Sequence, residues 1–153
     1  MFEWLQGSNV KMLHMVYFAH FHSHISYGII FWGSSSSMRN VSIIQKWAVR
    51  IMGPQSSYRK GFKKLDILTV PWLYIYALTL FAVKNLNIYQ SNFSVHCVNT
   101  RQQNKLHIPL VRLSSIQRGV YYSSVKIFSQ LPQNIFKYCN IIHAFKTVKR
   151  MPC

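Results

Sequence analysis

A chain of 153 residues is long enough for one compact domain and short for two. Half of its residues are hydrophobic, enough for a core, but 18 Lys and Arg face only two acids, Glu3 and Asp66, for a formal charge of +16. That balance excludes chemistry built on clustered carboxylates, such as two-metal phosphoryl transfer or glycoside hydrolysis. It points instead to a polyanionic partner, nucleic acid or an anionic membrane surface, or to a truncated reading frame whose balancing acids lie elsewhere.

The first nine residues lack the basic-then-apolar layout of a signal peptide. From about Asn9 to Trp32 the pattern predicts a helix with a break near Gly28, followed by a loop at Gly33 and the serines 34–37. Met38 to Met52 places Val41, Ile44, Ala48 and Ile51 at helical spacing, with Arg39, Lys46 and Arg50 off that stripe; Gly53-Pro54 stops the segment. Tyr58 to Leu65 reads as a short basic helix. Thr69, with Pro71 two residues on, opens a strongly apolar helix through about Lys84.

Residues 85–105, rich in Asn, Gln and Ser, read as a long surface loop. Leu106 to Leu113 alternates enough for one short strand, and Pro109 assigns it to an edge. A helix from about Ser114 to Leu131 ends at Pro132, and a last helix runs from about Asn134 to Arg150. The expected fold is a mainly α, single small helical domain spanning residues 1–153, with five or six helices, a long polar loop and at most one short edge strand or hairpin.

Met12 to Met38 and Ile67 to Val83 carry no Lys, Arg, Asp or Glu. Two spans joined by a basic loop would make a membrane hairpin. The histidines and serines of the first stretch are costly in hydrocarbon, and the second falls short of the roughly 20 residues a spanning helix needs. Buried or half-buried helices of a bundle are the favoured reading.

Cys97, Cys139 and Cys153 are odd in number and far apart, which argues against a disulfide framework or a Cys-based zinc site and for a reducing, intracellular setting, cytoplasmic or nuclear. Two glycosylation sequons, at Asn40 and Asn92, matter only in a secreted chain. His20 and His24 share a helical face at i, i+4 and suit two metal ligands, but a third is not evident, and packed histidines are the favoured reading. Neither a phosphate-binding glycine loop nor a Gly-x-Ser-x-Gly elbow is present, so no enzymatic activity, cofactor, metal or small-molecule substrate is expected.

The remaining signal is basic residues interleaved with aromatics. Tyr58-Arg59-Lys60-Gly61-Phe62-Lys63-Lys64 offers cations for phosphates, with Tyr58 and Phe62 read as core. Arg101, Lys105, Arg112, Arg118 and Lys126 form a second, sparser series.

Several longer strings carry a resemblance. Met15-Val16-Tyr17-Phe18-Ala19-His20-Phe21-His22-Ser23-His24-Ile25-Ser26-Tyr27-Gly28-Ile29-Ile30-Phe31-Trp32-Gly33 resembles the segment that follows the polymerase domain in non-LTR (LINE-like, jockey-like) retrotransposon reverse transcriptases, where a YFAYFHSxLSYGIxFWG string leads into LQKRAIRI. Ile44-Gln45-Lys46-Trp47-Ala48-Val49-Arg50-Ile51 stands in the second place. The similarity continues through Phe62 to Tyr76, Asn99-Thr100-Arg101, Leu106-His107-Ile108-Pro109, Gly119-Val120-Tyr121-Tyr122 and Leu131-Pro132, covering about residues 11–150. Family members usually carry Glu where this chain has Ala77 and often where it has Gln133, and Met1 to Asn9 does not match well.

The resemblance implies a fragment of a larger polyprotein, beyond the palm that holds the catalytic aspartates, and a role supporting template RNA or target DNA. Sequence-independent binding of RNA or DNA is therefore expected through Arg39, Lys46, Arg50, Arg59, Lys60, Lys63, Lys64 and Arg101. A membrane-associated hairpin and a remnant that does not fold stably alone are the rival readings.

Overall fold

The computed structural model describes residues 10–52, 58–103 and 105–130. The chain is mainly helical, and it gathers into two compact units, Met1–Ala77 and Leu78–Cys153. The expected last helix and the Gly53-Pro54 stop lie outside the described residues.

In the first unit, α1 (residues 10–26) has its middle turn, Tyr17–His22, wound as a π-helix and its last turn, Ser23–Ser26, α-helical again. A π turn shifts the backbone ladder and loosens carbonyl pairing. Nearby side chains supply the donors. The Ser23 hydroxyl donates to the carbonyls of Ala19 and His20 at 2.6 and 2.9 Å, and the Ser26 hydroxyl to that of His22 at 2.7 Å. Gly28, at φ 62°, takes the left-handed conformation that ends α1, as the break near Gly28 required. A short α2, Ile29–Trp32, follows.

Next come α3 (Ser37–Met52), α4 (Tyr58–Lys64) and the first half of α5 (Val70–Lys84), whose second half belongs to the other unit. Two groups of buried side chains fill this unit. Tyr17, Val49, Met52, Phe62 and Ile67 form one, with Phe18, Ala48 and Tyr58 packed against it. Ile25, Ile29, Val70 and Leu73 form the other, with Trp32, Val41 and Tyr74 around it. Gly33 sits where a Cβ would fall 2.2 Å from the Tyr74 ring, so the α2 end and α5 approach as closely as a missing side chain allows.

The buried seam of α3 differs from the expected stripe. Val41 and Ala48 are half-buried, but Ile44 and Ile51 are 55% and 73% exposed, while Gln45, Val49 and Met52 face inward. The reason is polar satisfaction. The Gln45 amide nitrogen donates to the Tyr17 hydroxyl and to the Leu68 carbonyl, both at 2.8 Å, and its oxygen accepts the Val70 N–H. All three bonds agree with one orientation of the amide.

α5 is apolar all round, and its first turn holds Pro71, whose missing N–H has no cost there. Asn85 closes its far end, donating from its side chain to the Phe81 carbonyl at 2.8 Å. None of the described helices is long and apolar enough to cross a membrane.

In the second unit, the expected loop 85–105 contains a 3₁₀ turn, Leu86–Ile88, and a short helix α6, Asn92–His96. Ser91 caps α6 by accepting the Ser94 N–H at 3.2 Å. The expected strand at 106–113 is not formed among the described residues. A lone antiparallel bridge, Ser91↔Leu106, is all that pairs there, because Pro109 offers no N–H and no partner strand runs alongside. The expected helix from Ser114 is split into α7 (Ser114–Gln117) and α8 (Val120–Gln130), since the chain turns at Arg118-Gly119. Tyr89, Val125 and Phe128 are buried here. The Ser124 hydroxyl donates to the Tyr121 carbonyl at 2.8 Å, so the Tyr89 hydroxyl donates to Ser124 Oγ at 2.7 Å. Burial pushes the Tyr89 phenol upward, the Ser124 hydroxyl opposes this because it can turn to donate to the phenolate, and the stacked Tyr121 phenol adds to the rise.

Candidate nucleic-acid interface

Seven of the eight expected cations lie on two consecutive helices of the first unit. On α3, Arg39, Lys46 and Arg50 are exposed. At about 100° per residue they fall within roughly 40° of one another, a row roughly 16 Å long. On α4, Arg59, Lys60, Lys63 and Lys64 are exposed, whereas Phe62 is buried and Tyr58 half-buried, in keeping with the core reading of both rings. The i, i+4 spacings 59/63 and 60/64 set four cations over the arc opposite Phe62.

The two helices are tied at this surface. Lys46 Nζ lies 5.0 Å from the centroid of the Tyr58 ring, a cation–π contact between the basic row of α3 and the start of α4. Its stem is thereby held while its neighbours stay in solvent. Like-charged residues crowded on adjacent helices raise the local potential and repel one another, a cost that a bound polyanion removes. Asp66, the one carboxylate side chain among the described residues, follows α4.

Trp47 was not singled out by sequence reasoning, and its side chain is 61% exposed beside Lys46. With Ile43 it borders the basic row, giving an aromatic plane within reach of the cations that would hold phosphates. The signal in the sequence is a tryptophan beside Lys46 and three residues before Arg50, masked when the apolar side of α3 is taken to run through Ile44 and Ile51.

Arg101 belongs to the second unit. It is exposed in the turn 101–103, beside a groove of about 620 Å³ that it lines with Asn92, His96 and Thr100. The structure therefore gathers seven of the predicted residues and assigns the eighth elsewhere.

Three of the four α1 histidines, His14, His22 and His24, are packed or hydrogen-bonded in structural ways, while His20 is exposed. His24 Nδ1 donates to the His20 carbonyl at 2.5 Å, and His14 Nε2 donates to the Leu65 carbonyl at 2.9 Å, fastening α1 to the end of α4. The rings of His14 and His22 stand 4.7 and 4.9 Å from Phe18. Among the described residues no group of three His, Cys, Asp or Glu is placed to hold a metal ion. Asn92, in the second sequon, spends its side-chain donor on the Gln102 carbonyl at 3.1 Å. Comparison with known proteins finds no family model, no curated protein and no solved structure that this chain matches.

Proposed function

We propose that this chain is a non-catalytic, sequence-independent nucleic-acid-binding segment, akin to the post-polymerase region of the non-LTR reverse transcriptases it resembles. The observation that carries the reading is the joined basic surface of α3 and α4, where seven cations face solvent and Lys46 bridges the helices through Tyr58. Phosphate contacts by Lys and Arg release counterions, so they supply affinity without reading sequence. Trp47 adds a plane on which an unpaired base can stack, which favours single strands over duplex.

The test is binding of the purified chain to a labelled RNA hairpin and to duplex DNA, titrated from low to high salt. Log affinity should fall linearly with log salt, and Lys60→Ala/Lys63→Ala/Lys64→Ala should weaken both ligands alike. A flat salt response would count against the reading.

A second reading, a chain that does not hold its fold alone, is favoured by the large apolar side chains left in solvent, among them Tyr27, Phe31, Ile51 and Leu110. A cooperative melt of the unliganded protein rules it out.

A further inference from the structure

The second unit has a cavity of its own, of about 500 Å³, within the range of small-ligand sites. Its walls come from three segments. α6 contributes Asn92 and His96, one helical turn apart. The bridge segment contributes Lys105 and His107, and α8 contributes Tyr122 and Lys126, again at i, i+4. Backbone bonds fix the first two segments together: Asn92 N–H donates to the Lys105 carbonyl at 2.9 Å, and His107 N–H to the Gln90 carbonyl at 2.8 Å. The His96 and His107 rings meet edge to face at 5.1 Å as a result, although they stand eleven positions apart in sequence.

The chemistry of this wall is one-sided. Two lysines and two histidines are among the residues that line the space, and no carboxylate does. Lysines and histidines lining a concave surface with no acid to pair with are suited to an anion, since a phosphate accepts hydrogen bonds from several donors at once. The rest of the lining is of another kind. Tyr122, Leu106 and Ile108 provide an apolar side, and Gln102, Ser129 and Gln130 provide amide and hydroxyl groups. A ligand that carries a phosphate at one end and a flat, partly apolar, hydrogen-bonding body at the other matches both halves.

We propose that this cavity is a nucleotide site, in which Lys105, Lys126 and the His96–His107 pair hold the phosphate and the Tyr122 side receives the base. The inference does not rest on the basic helices of the first unit, because none of their residues lines the cavity. The nucleotide is either free or one unit of a single strand, and both present the same phosphate ester and base.

The experiment uses the full chain, with adenosine monophosphate, adenosine, inorganic phosphate and a short oligoadenylate as probes. Binding is read from the histidine ring resonances in NMR, assigned with His96→Asn and His107→Asn. Adenosine monophosphate should shift both resonances, inorganic phosphate should compete with it, and adenosine should bind far more weakly. Lys105→Ala/Lys126→Ala should weaken the monophosphate by about tenfold or more. Lys60→Ala/Lys63→Ala/Lys64→Ala should leave it unchanged while weakening RNA, which separates this site from the basic surface. Displacement of the monophosphate by oligoadenylate identifies the strand as the source, and failure to displace it identifies a free nucleotide. Equal binding of adenosine and its monophosphate, absence of competition by phosphate, or an unaffected double lysine variant would each overturn the proposal.

Discussion

The side-chain oxygen of Gln45 accepts the backbone N–H of Val70 at 3.0 Å, so a residue in the middle of α3 caps the start of α5. The first N–H groups of any helix lack partners within it. Here one is satisfied across 25 residues of sequence, and the same amide also serves Leu68 and Tyr17. Gln45→Ala would strand the Tyr17 hydroxyl of α1, the Leu68 carbonyl and the Val70 N–H at the start of α5, each costing on the order of 1–3 kcal/mol. A total loss of about 3 kcal/mol is expected, read as a lower midpoint in urea. Gln45→Leu, which restores the volume, should recover little of it if hydrogen bonding is what holds the junction.

Tyr17 reports on the same junction through pH. Burial pushes its phenol above the ordinary value, and the bond from Gln45 only partly opposes this. The neutral phenol is therefore favoured in the folded state. Its contribution is fully present below the unfolded value near 10 and is lost as pH rises through the folded value, because the unfolded chain releases its proton first. Tyr17→Phe should cost about 1 kcal/mol at neutral pH. The gap between variant and wild type should narrow above pH 10 when melts are compared across that range.

How much of this was legible in the sequence depends on which interaction decided each element. The break at Gly28 and the basic α4 followed from local chemistry, a glycine free to adopt φ 62° and cations flanking Phe62. The register of α3 did not. A periodicity count places a glutamine on the surface, and only the three partners brought by α1, the segment before α5 and the start of α5 draw Gln45 inward and turn Ile44 and Ile51 out. Trp47 was hidden by the same offset. The division between α7 and α8 falls at Gly119, where a Cβ would meet the Ile116 carbonyl at 2.9 Å, a closeness that no propensity encodes. The candidate cavity was equally hidden, because His96 and His107 are brought together by the long-range bridge between Ser91 and Leu106.

The turn after α4 offers a stabilising change. Asp66 stands at φ 49°, with Ile67 N–H bonded to the Phe62 carbonyl at 3.1 Å and Asp66 N–H to that of Lys63 at 3.4 Å. This is the Schellman pattern, completed by the packing of Ile67 and Phe62 in one buried group. The left-handed position is usually glycine, and another residue there is strained, aspartate less than most. Asp66→Gly should raise stability by about 0.5–1 kcal/mol, and Asp66→Val should lower it by more than that. Denaturation midpoints decide the order.

Gly33 tests the approach of α2 to α5. An added methyl would lie 2.2 Å from the Tyr74 ring and 2.6 Å from the Ile29 carbonyl oxygen. The ring can swing aside but the backbone oxygen cannot, so Gly33→Ala should cost about 2 kcal/mol or more. Trimming the ring in Gly33→Ala/Tyr74→Ala should not rescue it. At Gly28 the neighbouring space is open, the nearest contact being Phe31 at 3.9 Å, so Gly28→Ala should lose only the strain of its positive φ, about 1 kcal/mol.

The basic surface makes a graded prediction about salt. Each phosphate neutralised contributes a slope of about −0.7 on a log–log plot for single strands and about −0.9 for duplex DNA. Arg39→Ala/Arg50→Ala should therefore reduce the magnitude of the slope by one to two such increments and weaken RNA and DNA together. Trp47→Ala should behave differently, since a ring that stacks on a base releases no counterions. It should weaken single-stranded RNA by about 1–3 kcal/mol, leave duplex DNA nearly unchanged and keep the salt slope intact. Trp47→Phe should restore part of the loss. A Trp47→Ala variant that weakens both ligands equally would remove the stacking role and leave a surface that works by charge alone.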